Sequence, residues 1–219
     1  MATGTKMTQE KLRELLMADG ATAVGFCKLD EKAPFPYGIS VMYKLSDAIL
    51  NTIEDKPSKI YFQHYRAVNT KLDMLALLAV RELEKAGYNA LPIASSQSIN
   101  GYEGYYPHKT VAVRSHLGYI GKNCLLINDE HGSKVRFCSI LTDFPLECDL
   151  PEQQYACASC DICVKACPAG AISGKKPTSC RDEFFDAEKC SNNMKRYHDI
   201  GRGAVCGLCI KVCSKNKLK

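Results

Sequence analysis

One short stretch of the sequence, CASCDICVKACP between Cys157 and Pro168, constrains the fold more than any other. Cys157, Cys160, Cys163 and Cys167 have the spacing C-x2-C-x2-C-x3-C, and a proline follows the last of them. In ferredoxins with two clusters, the first three cysteines of such a run ligate one [4Fe–4S] cluster and the fourth ligates the other. The motif therefore predicts two iron–sulfur clusters and requires a second set of cysteines.

The second set lies near the end of the sequence, where Cys206, Cys209 and Cys213 form C-x2-C-x3-C. Its missing member lies upstream, at Cys180 or Cys190. We assign Cys190, because the helix-like RDEFFDAEKC places it just ahead of the second loop. With the last cysteine of each set exchanged, one cluster is predicted on Cys157, Cys160, Cys163 and Cys213, and the other on Cys167, Cys190, Cys206 and Cys209.

A zinc site is the main alternative for these cysteines, because four-thiolate zinc sites also use C-x2-C pairs. Zinc requires neither the third closely spaced cysteine nor the proline that follows, so we favour iron. Ser214 stands where a second proline commonly follows such a motif. This departure removes no ligand.

The cysteine content and the start of the sequence indicate where such a protein works. The first twenty residues carry Lys6, Lys11 and Arg13 and lack the apolar core of a signal peptide, so we predict a cytoplasmic protein. The longest apolar run, Leu75 to Val80, is too short to cross a bilayer, and no membrane partner is expected. Thirteen cysteines in a cytosolic chain indicate metal binding rather than disulfides.

The remaining sequence predicts an α+β domain over residues 1–150, followed by a cluster domain over residues 151–219. Thr8 to Asp19 and His64 to Ala86 have the apolar spacing and the terminal residues of helices. ATAVGFC, GISVMYK and NALPIA are typical of strands, and HKTVAVRSH begins a further helix. CLLIN and VRFCSIL are predicted to form a hairpin across the turn-rich DEHGS.

A glycine-rich stretch, HLGYIGKNCLLIN, precedes the last of these strands. Gly118 and Gly121 bracket two apolar residues, and the polar Lys122 and Asn123 follow. Glycines allow the backbone to approach a flat or anionic ligand closely. A purely structural turn is the alternative, so this stretch by itself is weak evidence of a binding site.

The glycine stretch, the following VRF and ILTD, and the cysteine motifs together resemble the epoxyqueuosine reductases and, more distantly, the reductive dehalogenases. Shorter relatives of the first family look closer still. The resemblance covers roughly residues 60 to 213 and is specific in the glycine stretch and the cysteine motifs. Tyr119 stands where members of the family usually have tryptophan.

The resemblance implies a nitroreductase-like, cobalamin-binding α+β domain followed by a bacterial two-cluster ferredoxin-like domain. It implies an oxygen-sensitive, cobalamin-dependent iron–sulfur reductase whose two [4Fe–4S] clusters pass single electrons to a corrinoid, which reduces a small or tRNA-borne substrate. An external electron donor such as ferredoxin or flavodoxin is then required.

The same resemblance suggests site residues in the first domain. His64, Tyr65 and His108 are candidates for proton donation to the substrate. The candidates for cofactor contacts are Tyr105, Lys109, Gly118, Tyr119, Gly121, Lys122 and Asn123. The alternative for Tyr65 is simple packing with a satisfied hydroxyl.

Two departures from the family disfavour tRNA as the partner. The full-length tRNA-modifying enzymes carry a C-terminal helical-repeat domain that is not expected here, and GYEGYYPHKT has no aspartate where the catalytic one would stand. The short length and the basic tail KNKLK also fit an alternative function, a two-cluster electron-transfer protein that reduces a partner corrinoid or flavin enzyme. An exposed cluster edge would favour a homodimer.

Overall fold

The computed structural model describes residues 7–99, 101–201 and 205–216 and shows the mixed helix and strand content that was predicted. The helices are α1 (Gln9–Ala18), α2 (Asp47–Asn51), α3 (Lys59–Lys85), α4 (His108–Arg114), α5 (Ile162–Ala166), α6 (Ala187–Lys195) and α7 (Leu208–Lys211). The strands are β1 (Ala23–Lys28), β2 (Tyr37–Lys44), β3 (Ala90–Ile93), β4 (Tyr119–Ile120), β5 (Leu126–Ile127) and β6 (Val135–Thr142). Among the helices of the described residues, none combines the length and the apolar character that a bilayer crossing requires.

The chain divides into two compact units. The sheet unit comprises the described parts of Met1–Tyr43, Asn69–Leu117 and Arg136–Glu152. The cysteine unit comprises the described parts of Lys44–Val68, Gly118–Val135 and Gln153–Lys219. The predicted boundary after residue 150 lies close to the last of these divisions, and two earlier segments of the chain are grouped with the cysteine loops. Lys217 and Lys219 of the basic tail lie outside the described residues.

A four-stranded sheet in the order β1-β2-β6-β3 forms the centre of the sheet unit. β1 and β2 are antiparallel, with Ala23 opposite Met42, and β3 pairs with β6 in the same sense, with Ala90 opposite Thr142. The predicted strands ATAVGFC, GISVMYK and NALPIA are confirmed. Their apolar side chains enter the core, where Phe26 is fully buried.

The two longest helices follow from their capping residues and apolar spacing. The Thr8 hydroxyl accepts a hydrogen bond from the Lys11 amide at 3.3 Å, which caps α1 as predicted. α3 begins at Lys59, five residues before the predicted start at His64. The Ser58 hydroxyl accepts from the Tyr61 amide at 3.0 Å, so Ser58 begins the helix ahead of the apolar pattern.

The predicted hairpin between CLLIN and VRFCSIL is wrong. Leu126–Ile127 pairs with Tyr119–Ile120, and β6 instead joins the four-stranded sheet. The DEHGS turn closes on itself, because Asn128 and Gly132 exchange two backbone hydrogen bonds of 2.9 and 2.7 Å. The small loop therefore ends the β4–β5 hairpin before β6 begins.

Candidate functional site

Four of the predicted ligands line one small cavity in the cysteine unit. Cys157, Cys160 and Cys163 come from the loop that leads into α5, and Cys213 follows α7. The Cys160 amide donates to the Cys157 carbonyl at 2.9 Å, which turns the loop tightly. We call these four cysteines the first quartet. The rest of the cavity wall is formed by Lys122, Asn123, Ile127, Ile162, Ser214 and Lys215.

The thiols of the first quartet affect one another electrostatically. The pKa of the Cys163 thiol is raised to about 11, first by burial and then, in decreasing order, by the neighbouring Cys213, Cys157 and Cys160. A thiol with this pKa is protonated at neutral pH, whereas metals bind the thiolate. Metal binding at Cys163 would therefore release a proton.

The other four predicted ligands form a second group, which we call the second quartet: Cys167, Cys190, Cys206 and Cys209. Burial raises the pKa of Cys209, and Cys206, Cys190 and Cys167 are the next largest causes. Cys190 lies on α6, whereas Cys180 is exposed and caps a short 3-10 turn. Cys163 of the first quartet is a smaller cause at Cys209, so the two groups lie near each other.

Iron–sulfur clusters take four cysteine thiolates each, and both quartets supply that donor set. In the part of the chain that the structure describes, no three His, Cys, Asp or Glu side chains stand close enough to hold a single metal ion together. The cysteines outside the quartets include Cys27 and Cys138, which are buried in the sheet unit. Burial raises the pKa of both thiols, so they fit inert core positions.

The turn of the β4–β5 hairpin reaches both cysteine loops. Lys122 is buried, and its ammonium lies 2.7 Å from the Asp161 carboxylate, which is half exposed. This hydrogen bond is the largest cause that raises the pKa of Lys122. The Asn123 amide nitrogen donates to the Cys209 carbonyl at 3.3 Å. Both side chains, predicted as cofactor contacts, therefore lie against the loops that carry the quartets.

The glycines of this hairpin are required by close packing. A Cβ at Gly118 would lie 2.3 Å from the Ile127 carbonyl oxygen, and one at Gly121 would lie 2.7 Å from the Ile127 side chain. Between them, Tyr119 is buried, its ring stacked edge to face on Tyr155 at 5.4 Å. Burial, and then the nearby Cys157, raise the pKa of Tyr119. These positions shape the wall beside the first quartet.

Hydrogen bonds reach sulfurs of both quartets. The Ser214 hydroxyl lies 3.3 Å from the Cys160 sulfur, and this contact is the largest cause that lowers the pKa of Cys160. In the second quartet, the backbone amide of Ala171 donates to the Cys167 sulfur at 3.4 Å. Backbone groups contribute at both quartets, since the backbone at Ile162 also lowers the pKa of Cys160 and the backbone at Leu208 lowers that of Cys206.

The first pair of predicted proton donors, His64 and Tyr65, lies in the first turns of α3. The Ser46 amide donates to His64 Nε2 at 3.1 Å, so this nitrogen carries no proton. Burial lowers the pKa of His64 and keeps the ring neutral. Tyr65 is half buried.

The remaining predicted residues lie in the sheet unit. His108 has both ring nitrogens engaged, Nδ1 with the Ser139 hydroxyl at 2.9 Å and Nε2 with the Ala94 carbonyl at 2.8 Å. Burial lowers its pKa, so the neutral ring links α4 to its surroundings. Lys109 is half buried, and Tyr105 is 55% exposed.

Three large side chains of the sheet unit are exposed to solvent on one loop. Ile99, Tyr102 and Tyr105, on the loop before α4, are 64%, 47% and 55% exposed. Large apolar side chains in contact with solvent are suited to a partly apolar ligand such as a corrinoid. Since both nitrogens of His108 are engaged, this histidine would not bind the metal of such a ligand in this arrangement.

Sequence reasoning missed two residues of the site. Asp161, which pairs with Lys122, lies between two predicted ligands, where a polar residue gives no signal of its own. At position 214 the sequence shows only that serine replaces the usual proline. Its hydroxyl contact depends on bringing residues 160 and 214 together, which spacing along the chain cannot reveal.

Comparison with known proteins supports the resemblance stated above. A tetrachloroethene reductive dehalogenase from Desulfitobacterium hafniense is 28% identical over 230 aligned positions, which cover 98% of this chain and 40% of that protein. An epoxyqueuosine reductase from Listeria monocytogenes is 36% identical over 110 positions, covering 49% of this chain and 29% of that protein. No protein-family model matches the sequence.

The fold is also found in a solved structure of a reductive dehalogenase, one that suggests a mechanism for B12-dependent dehalogenation. The TM-score is 0.76 at 20% identity, and the match covers 97% of this chain and 33% of that one. The chain thus spans less than half the length of these relatives. Its homologues are reductive dehalogenases and epoxyqueuosine reductases, and the predicted resemblance is confirmed.

Proposed function

We propose that this chain is a cobalamin-dependent iron–sulfur reductase with two [4Fe–4S] clusters. The observation that carries the proposal is the cavity lined by Cys157, Cys160, Cys163 and Cys213, with the other four cysteines grouped around Cys209. In the finer description, a nitroreductase-like domain precedes a two-cluster ferredoxin-like domain. The names of the relatives, which reduce epoxyqueuosine or organohalides, support a reductive reaction.

Each quartet would hold one cluster. Bound clusters supply single electrons, and a bound corrinoid supplies the reduction of the substrate. The chain's own residues position these groups. Lys122 and Asn123 fasten the β4–β5 hairpin to the loops at Asp161 and Cys209. Tyr105 and Lys109 would contact the corrinoid from the sheet unit.

His64, Tyr65 and His108 are the proposed proton donors. His64 accepts a hydrogen bond at Nε2, and His108 is engaged at both nitrogens. Donation from Nε2 of His64 or from either nitrogen of His108 would break a contact that holds the ring. The Tyr65 hydroxyl would donate its proton at Oη to the reduced substrate.

The substrate we propose is a small molecule, with a tRNA-borne base as the less favoured possibility. GYEGYYPHKT supplies no aspartate at the expected catalytic position. A ferredoxin or flavodoxin type of protein would deliver the electrons.

The engaged histidines also favour a second candidate, an electron-transfer protein that reduces a partner corrinoid or flavin enzyme. Two of the three proposed donors already serve the fold. An electron carrier needs no proton donor, so this candidate is compatible with every cysteine contact described.

Anaerobic reconstitution with iron and sulfide, followed by addition of cob(II)alamin and EPR spectroscopy, separates the two candidates. About eight irons per chain, together with loss of the axial nitrogen splitting of cobalt, would support the reductase. The same iron content with an unchanged cobalt signal would support the electron carrier. Zinc in place of iron would contradict both candidates.

A further inference from the structure

The cavity of the first quartet has polar groups in its wall. Lys122 and Ser214 line this cavity together with the four cysteines. A side-chain cation and a hydroxyl therefore lie beside the four sulfurs of the first quartet.

The Lys122 charge faces the cavity more than its counter-ion does. Lys122 forms part of the cavity wall, whereas its partner Asp161 does not. The Lys122 side chain is 7% exposed and the Asp161 side chain is 48% exposed. Water screens an exposed carboxylate well and a buried ammonium poorly, so a net positive potential reaches the first quartet.

The Ser214 hydroxyl acts in the same direction. A cysteine sulfur that ligates iron carries no proton, so in the contact between Cys160 and Ser214 the hydroxyl must be the donor. Hydrogen bonds to ligand sulfurs and nearby positive charge both favour the more negative, reduced form of an iron–sulfur cluster.

We propose that Lys122 and Ser214 raise the reduction potential of the cluster that the first quartet would hold. This inference rests on the proposed two-cluster function. The Lys122 ammonium and the Ser214 hydroxyl would keep their protons when that cluster takes up an electron.

The test is an EPR-monitored titration of the full, reconstituted chain with dithionite as the one-electron reductant. A Cys206→Ser variant, which removes a ligand of the second cluster, assigns the two reduction steps. In Lys122→Gln we expect the first step to shift by about tenfold in its equilibrium, or 59 mV to more negative potential for one electron. The second step stays in place.

Three further variants test the direction of the shift in reduction potential and its cause. Asp161→Asn removes the counter-ion and is expected to shift the first step to more positive potential, opposite to Lys122→Gln. Ser214→Ala should give a smaller negative shift, and Ser214→Thr, which keeps the hydroxyl, should restore the original value. Asp161→Asn and the Ser214 pair keep the test decisive if Lys122→Gln does not fold.

Unchanged potentials in these variants at full iron content would overturn the inference while leaving the two clusters established. Equal shifts in both steps would overturn it as well, because they would mean a general electrostatic effect. A wild-type chain that takes up well under eight irons would overturn the proposed function, and the inference with it.

Discussion

The sheet unit and the cysteine unit differ in the length of their elements. In the sheet unit, β2 and β6 are eight residues long and bury apolar side chains such as Ile39 and Ile140 completely. In the cysteine unit, β4 and β5 have two residues each and α7 has four, although Leu50 is also fully buried there. Elements this short bury too little surface to be stable by themselves. With the proposed clusters, ligand bonds would add to apolar packing in the cysteine unit, whereas the sheet unit relies on packing.

The largest expected effect comes from removing iron. Without clusters, the loops around residues 157–167 and 206–213 lose their cross-links, whereas the sheet keeps its core. Hydrogen exchange of reconstituted and chelated protein should show amides of the cysteine unit exchanging at least tenfold faster, about 1.4 kcal/mol of local stability. Equal loss of protection in β1 and β2 would contradict the expectation that removal of iron destabilises the cysteine unit alone.

Single cysteine substitutions sharpen the comparison within the cysteine unit. Cys163→Ser and Cys209→Ser should each lower the iron content from about eight to about four per chain, because each removes one ligand set. Cys180→Ser, an exposed cysteine outside the quartets, is the matched control and should keep all the iron. Iron analysis with acid-labile sulfide provides the measurement. If Cys180→Ser loses half of its iron, Cys180 must be a cluster ligand.

A glycine substitution tests how far the β4–β5 hairpin depends on close packing. Gly118→Ala places a Cβ 2.3 Å from the Ile127 carbonyl oxygen and should destabilise the fold by roughly 2–3 kcal/mol. Gly170→Ala is the control in the same unit: it meets no atom within 4 Å and bears only the strain of a positive φ, about 1 kcal/mol. Denaturant unfolding should rank the two in that order. If Gly118→Ala is as stable as the wild type, the hairpin backbone must shift to accommodate the added Cβ.

The smallest expected effect is on pH dependence and concerns one histidine in each unit. Burial lowers the pKa of both His64 and His108 in the folded state. The unfolded rings take up protons first, near pH 6.5. Stability should therefore be complete above pH 6.5 and fall as the pH drops toward the lower, folded pKa values.

Denaturant midpoints at pH 7.5 and 5.5 check this expectation. His64→Gln and His108→Gln should each flatten the pH dependence relative to the wild type. If the pH dependence of stability is unchanged in either variant, the pKa of that histidine must be the same in the folded and unfolded states.

The sequence predicted the sheet unit better than the site. The α1 cap at Thr8 and the strands β1 to β3 follow from local patterns, which nearby residues determine. The partner of β5 could not be predicted, because the Asn128–Gly132 closure competes with a longer hairpin. The contacts of Lys122 with Asp161 and of Ser214 with Cys160 join distant parts of the chain, and no local pattern encodes them. The assignment of the eight cysteines to two ligand sets stays a prediction.

The grouping of cysteines has a consequence for biosynthesis. The first quartet takes Cys213 from the far end of the chain, and the second takes Cys167 from the first motif. During translation, the first quartet would therefore have three of its four sulfurs until residue 213 has emerged from the ribosome. With the proposed ligands, neither site would have its four cysteines until the chain had been synthesised past Cys209, and a truncation before Cys206 would leave both sites incomplete.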